Sequence, residues 1–132
     1  MEVVITTDNK RLDIDLIHQF LTHSYWAEGR SKGEVQKSIK HSLNFGVYLQ
    51  DGSQNGFARV VSDYTIFGYL LDVFILEEYQ GKGYAKKLVQ AVFAHPELQE
   101  VQRWMLGTKD AHGLYEKFGF KKVEDASRLM RR

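Results

Sequence analysis

Cysteine is absent from this 132-residue sequence, and proline occurs once. The first absence excludes disulfides, thiolate metal sites and a cysteine nucleophile, and it fits a cytoplasmic protein. No apolar run approaches the roughly 20 residues that span a bilayer, and the opening MEVVITTDNK lacks a basic segment followed by a long apolar core. Neither a membrane span nor a secretory signal is expected. Charge of one sign is also missing: 18 basic against 17 acidic residues leave a formal charge of +1 and no global field for nucleic acid. The ending Arg128, Arg131, Arg132 is shorter than the blocks of about five like charges that mark interaction tails, and reads as a solvated end. What is present, 43% hydrophobic and 27% charged residues, suits one domain over residues 1–132 that buries roughly two-thirds of its unfolded surface.

Periodicity orders the elements as a mixed α/β domain. Val3 to Ile5 suggest a short strand ended by the Asp8-Asn9 turn signal, after which Leu12, Leu16, Ile17, Phe20 and Leu21 recur at helical spacing. A weaker helix is expected over Glu34 to Ser42, then strands over Phe45 to Gln50 and Phe57 to Ser62 joined by the turn DGSQNG. The almost wholly apolar run Thr65 to Leu76 predicts a central strand covered on both faces. From Gly83 a stripe of Ala85, Leu88, Val89 and Val92 predicts an amphipathic helix that Pro96 limits. Val101 to Gly107 reads as a strand, DAHGLYEKFG as a short helix with Asp110 as N-cap and Gly119 as stop, and FKKV as a last strand.

The segment Gln80-Gly81-Lys82-Gly83-Tyr84-Ala85 lies between the apolar strand and the helix. A helix start presents unpaired N–H groups and partial positive charge, which attract phosphate. Glycines there let a phosphate approach the amides, and Lys82, Lys86 and Lys87 add charge. Spacing removes two alternatives. A dinucleotide fingerprint needs glycine where Lys86 stands, and a P-loop needs Ser or Thr where Gly83 stands. By themselves the two glycines fit a structural turn as well as a phosphate site.

The loop, the preceding LLDVFIL and the following LYEKFGF together resemble the GNAT superfamily of acyl-coenzyme A-dependent N-acyltransferases. Its motifs match from Leu70 to Val123, and the first 65 residues match in element order alone. The resemblance implies a GNAT-like α+β fold, with a mixed, mostly antiparallel sheet of about six strands flanked by about four helices. It implies that amides of Gln80, Gly81, Lys82, Gly83, Tyr84 and Ala85 hold the pyrophosphate of coenzyme A (CoA). Backbone groups of Phe74, Ile75 and Leu76 would pair with pantetheine where two strands splay. Tyr115 would be the acid that reprotonates the departing thiolate; a phenol with an ordinary pKa near 10 keeps its proton at neutral pH.

Direct attack on a thioester needs an amine without its proton, so a base is required in some form. Asp72 interrupts the apolar strand, on the side of Leu70 and Phe74 by alternation, and is a candidate for that base. A structural ion pair with Arg59 is an equal alternative, and relay through water a third. Tyr69 stands near the position of a glutamate base in some relatives, but is a poor base. Trp26, Glu28 and Arg30 lie where the family builds its acceptor pocket and could clamp an aromatic or carboxylate-bearing acceptor, although loop packing explains them as well. His18, His23 and His41 show no metal-ligand pattern, and no metal is expected.

The expected activity is N-acetyl transfer from acetyl-CoA directly to a primary amine of a small molecule. A non-catalytic acyl-CoA-binding module or sensor, and transfer to protein or peptide amines, are the alternatives. No nucleic acid or membrane partner is expected, and a homodimer is left open.

Overall fold

The computed structural model describes residues 2–132; Met1, the first residue of the expected domain, lies outside them. Among the described residues five strands form one sheet in chain order: β1 (Val4–Thr6), β2 (Leu43–Tyr48), β3 (Gln54–Ser62), β4 (Phe67–Ile75) and β5 (Arg103–Leu106). All neighbours are antiparallel except β4 and β5. A parallel pair needs a crossover, and α3 (Tyr84–Ala94) supplies it. Helices α1 (Ile14–Thr22) and α2 (Lys32–Lys40) lie between β1 and β2 in sequence, and α4 (His112–Glu116) follows β5.

The sheet separates two apolar clusters. On one face Leu88, Val89 and Val92 of α3 pack fully buried against Phe45, Val47, Val60 and Leu70. Each such side chain contributes roughly 1.5–3 kcal/mol through burial. On the other face Ile17 and Leu21 of α1 and Val35 and Ile39 of α2 pack against Phe57 and Phe74. Both helices start on side-chain caps. Asp13 accepts from Leu16 N–H, while Ser31 and Glu34 form a reciprocal capping box that starts α2 earlier than its apolar pattern suggests.

Three sequence expectations change. The hairpin turn is shorter than DGSQNG, because Gln54 and Asn55 are buried and begin β3. Gln54 tolerates burial by accepting from Asp13 N–H and donating to Gly56 O. FKKV forms no strand: Phe120 packs on Phe93 and Tyr115, while Val123 is exposed, and the paired lysines break the alternation a strand edge needs. Asp110 does not cap α4. Ala111 holds the N-cap position, and its N–H goes to Thr108 Oγ1. Gly119, at φ 90°, does end the α4 segment, with Phe120 N–H returning to Tyr115 O.

Candidate active site

β4 and β5 pair from Phe67–Arg103 to Leu70–Leu106, where β5 ends. From Leu71 to Ile75 the edge of β4 has no strand beside it, and a cleft of about 830 Å³ opens there. Its far wall comes from Leu106 to Thr108 and from Ala111, Leu114 and Tyr115 at α4. Exposed strand edges offer unpaired backbone groups, so this wall can pair with an extended amide-bearing ligand.

At one end lies the glycine loop. Gly81 and Gly83 adopt φ of 79° and 83°, conformations that strain other residues, and a Cβ on either would meet nothing within 4 Å. Backbone conformation therefore explains these glycines, and internal packing does not. Gly83 is also the N-cap of α3 and supplies no side-chain acceptor to its first turn. The Gln80 side chain fastens the loop to β4 by donating to Ile75 O at 2.9 Å.

The other end is set by a β-bulge. Phe57 pairs with Phe74 and Arg59 with Leu71, so Ala58 faces both Asp72 and Val73. Asp72 sits at the bulge with φ of 56°, a conformation that Asp and Asn tolerate better than most residues. The extra residue breaks alternation: Leu70 stays in the cluster under α3, whereas Phe74 belongs to the cluster under α1 and α2. Asp72 thus shares a side with Phe74 but not with Leu70.

The Asp72 side chain is 1% exposed and accepts three side-chain hydrogen bonds. Its Oδ2 accepts from Arg30 Nη1 at 2.7 Å and Arg59 Nε at 2.9 Å, and its Oδ1 accepts from Trp26 Nε1 at 3.0 Å. Arg59 Nη1 also donates to Ser42 Oγ. The ion pair with Arg59 considered from the sequence is formed, and the loop between α1 and α2 adds two further donors.

Tyr115 is buried and lines the cleft. Burial, with Tyr25 adding to it, pushes its phenol up to about 12, so it holds its proton throughout the neutral range. Of the other residues expected from sequence, Phe74, Ile75, Gln80, Gly81, Gly83, Tyr84 and Ala85 line the same cleft, while Leu76 and Lys82 do not. Leu76 N–H is taken by Asn55 O, which removes it from the open edge. Tyr25 and Phe20 were not legible as site residues. Phe20 stacks on Phe74 with ring centroids 4.0 Å apart, and Tyr25 meets Trp26 edge-on. Two adjacent aromatics in a loop, Tyr25 and Trp26, are the signal that could have found Tyr25. Among the described residues no group of three or more His, Cys, Asp or Glu is placed to hold a metal ion.

Residues 41–122, which include the open edge of β4 and the glycine-capped start of α3, match a family model, an acetyltransferase (GNAT) domain. The chain belongs to the GNAT acetyltransferase family. The structure is similar to that of a Xanthomonas campestris pv. campestris protein assigned to the GNAT family, at a TM-score of 0.95 and 49% identity over 100% of this chain and 93% of that one. A Gibberella zeae protein assigned as an acetyltransferase is 28% identical, over 88% of this chain and 77% of its own length. Glucosamine-6-phosphate N-acetyltransferase of Arabidopsis thaliana shares the fold, with a TM-score of 0.70 at 16% identity over 100% of this chain and 98% of that one. This GNAT chain is accordingly an acyl-CoA-dependent N-acetyltransferase.

Proposed function

We propose that the protein, as a single domain over residues 1–132 acting in the cytoplasm, transfers the acetyl group of acetyl-CoA to a primary amine of a small molecule. One observation carries this reading: a single cleft joins the glycine loop, the open edge of β4 and the Tyr115 phenol. Bound acetyl-CoA supplies an activated thioester carbonyl. Amides from Gln80 to Ala85 hold its diphosphate at the start of α3, where backbone N–H groups and the helix dipole favour anions. Backbone groups along Leu71 to Ile75, including those of Phe74 and Ile75, align the pantetheine arm; Leu76, whose N–H is bonded within the sheet, is left out.

Tyr115 donates its proton as charge develops on the leaving sulfur and recovers one from solvent. In this reading Asp72 is not the base. Its oxygens already accept from Arg30, Arg59 and Trp26, so it positions the acceptor loop, and the amine loses its proton to water. Calorimetric titration with acetyl-CoA, using NADH and ATP as controls, tests the cleft. A Tyr115→Phe variant tests the chemistry. It should bind acetyl-CoA as the parent does and release thiol about 100-fold more slowly, within the usual range for a general acid. An unchanged rate removes Tyr115 from the mechanism.

A further inference from the structure

The acceptor end of the cleft has a composition of its own. Phe20, Tyr25, Trp26 and Tyr69 line it, with Tyr25 54% and Trp26 39% exposed. Large aromatics displayed together beside a cleft are suited to a planar apolar ligand. The Trp26 indole is fixed by its bond to Asp72 and cannot turn into the core without breaking it.

Cations stand on both sides of this aromatic pair. Arg30 reaches Asp72 beside Trp26, and Lys109 Nζ lies 5.4 Å from the Tyr25 ring centroid, with Lys109 N–H donating to Tyr25 Oη. Asp72 and Asp110 are the carboxylates of the cleft, with Arg30 and Arg59 both bonded to Asp72, while Asp13 and Asp15 line the adjoining pocket on the other side of the aromatic group. Glu34, which also feels Arg30, is turned away to Ser31 N–H at the exposed start of α2. Arg30 remains 21% exposed on the cleft and gives Asp72 only one of its several N–H groups. A guanidinium fork with free donors matches a planar carboxylate.

We infer that the preferred acceptors are amines that carry both a carboxylate and a planar apolar group, with Arg30 binding the carboxylate and Trp26 and Tyr25 the ring. The inference rests on the acetyl-transfer reading above. It makes Arg30 a specificity-determining residue, held in place by Asp72.

The test is a thiol-release assay on the wild-type protein with acetyl-CoA and matched acceptors: phenylalanine, tryptophan and 4-(aminomethyl)benzoate, each beside its primary amide, plus alanine. The acids should exceed their amides and alanine in kcat/KM by about tenfold or more, the discrimination expected when a charged hydrogen bond is lost. Arg30→Gln should raise KM for the acids about tenfold more than it raises KM for the amides, because the loop position is shared by both and the carboxylate contact only by the acids. Amides used as well as or better than the acids would overturn the inference and leave acetyl transfer standing. Calorimetry with the same ligands in the presence of CoA separates the two failures. If acids bind in preference to amides but no amine is acetylated, the recognition holds and the transfer reading fails. If acids and amides bind alike, the recognition fails. The wild-type comparison does not depend on Arg30→Gln folding.

Discussion

The face of the sheet under α3 is packed with aliphatic and aromatic side chains, whereas the face under α1 and α2 buries Arg59 and Asp72 beside Phe57 and Phe74. The difference shows how one sheet serves two demands. Apolar packing under α3 fixes the layers through burial, which is non-directional and tolerant of sequence. The charged network is directional: it fixes the loop between α1 and α2 onto the bulge of β4, and so shapes one end of the cleft. A buried ion pair contributes little net stability compared with apolar packing, yet losing one partner is costly.

That asymmetry can be broken from either side. Asp72→Asn keeps the shape and the tolerance for positive φ but strands two guanidinium groups. It should lower unfolding free energy by about 3–5 kcal/mol in a urea titration, and any folded enzyme should not regain activity at alkaline pH. Full stability with a loss of rate that alkali repairs would restore Asp72 as the base. Leu88→Ala, at a fully buried position under α3, should cost about 2–5 kcal/mol by the same titration and leave KM values intact.

Tyr115 belongs to the α3 face and to the cleft at once, and pH separates the two roles. Its pKa rises from 10.0 to about 12 on folding, so the unfolded chain loses the proton first. The stability this confers is fully present below about pH 10 and is lost as pH rises toward about 12, an order of 2–3 kcal/mol that Tyr115→Phe should abolish in melts across that range. The smallest effect on stability is expected at Gly83→Ala, about 1–2 kcal/mol for a side chain held at positive φ, with weaker acetyl-CoA binding in calorimetry. Unaltered affinity would detach the loop from the diphosphate.

Much of this arrangement was legible in the sequence, unevenly. The α3 stripe could be read from apolar spacing, a local signal, and the loop before it from its glycines together with the family motif, whereas the positive φ that explains those glycines was not visible. Asp72 was visible as an anomaly in an apolar run and Arg59 as one partner, but the other two were not: Arg30 is 42 residues away and Trp26 46, and both reach it from a loop. The bulge was hidden too. Alternation assigns Leu70 and Phe74 to one side, and only the register with β3 shows that one extra residue separates them. FKKV misled because Phe and Val are strand formers, while pairing requires a free neighbour as well as propensity.

The short parallel pairing of β4 with β5 has a consequence for assembly. β2 to β4 can form from successive antiparallel hairpins, whereas β1 and β5 each join across helices, β1 through α1 and α2 and β5 through α3. Its four residues then join the sheet through the most distant closure within the β4–α3–β5 unit. The cleft is therefore a seam between the hairpin-connected strands and a strand that docks through a longer closure. Loosening of β5 and α4 can widen that seam without unzipping the antiparallel strands.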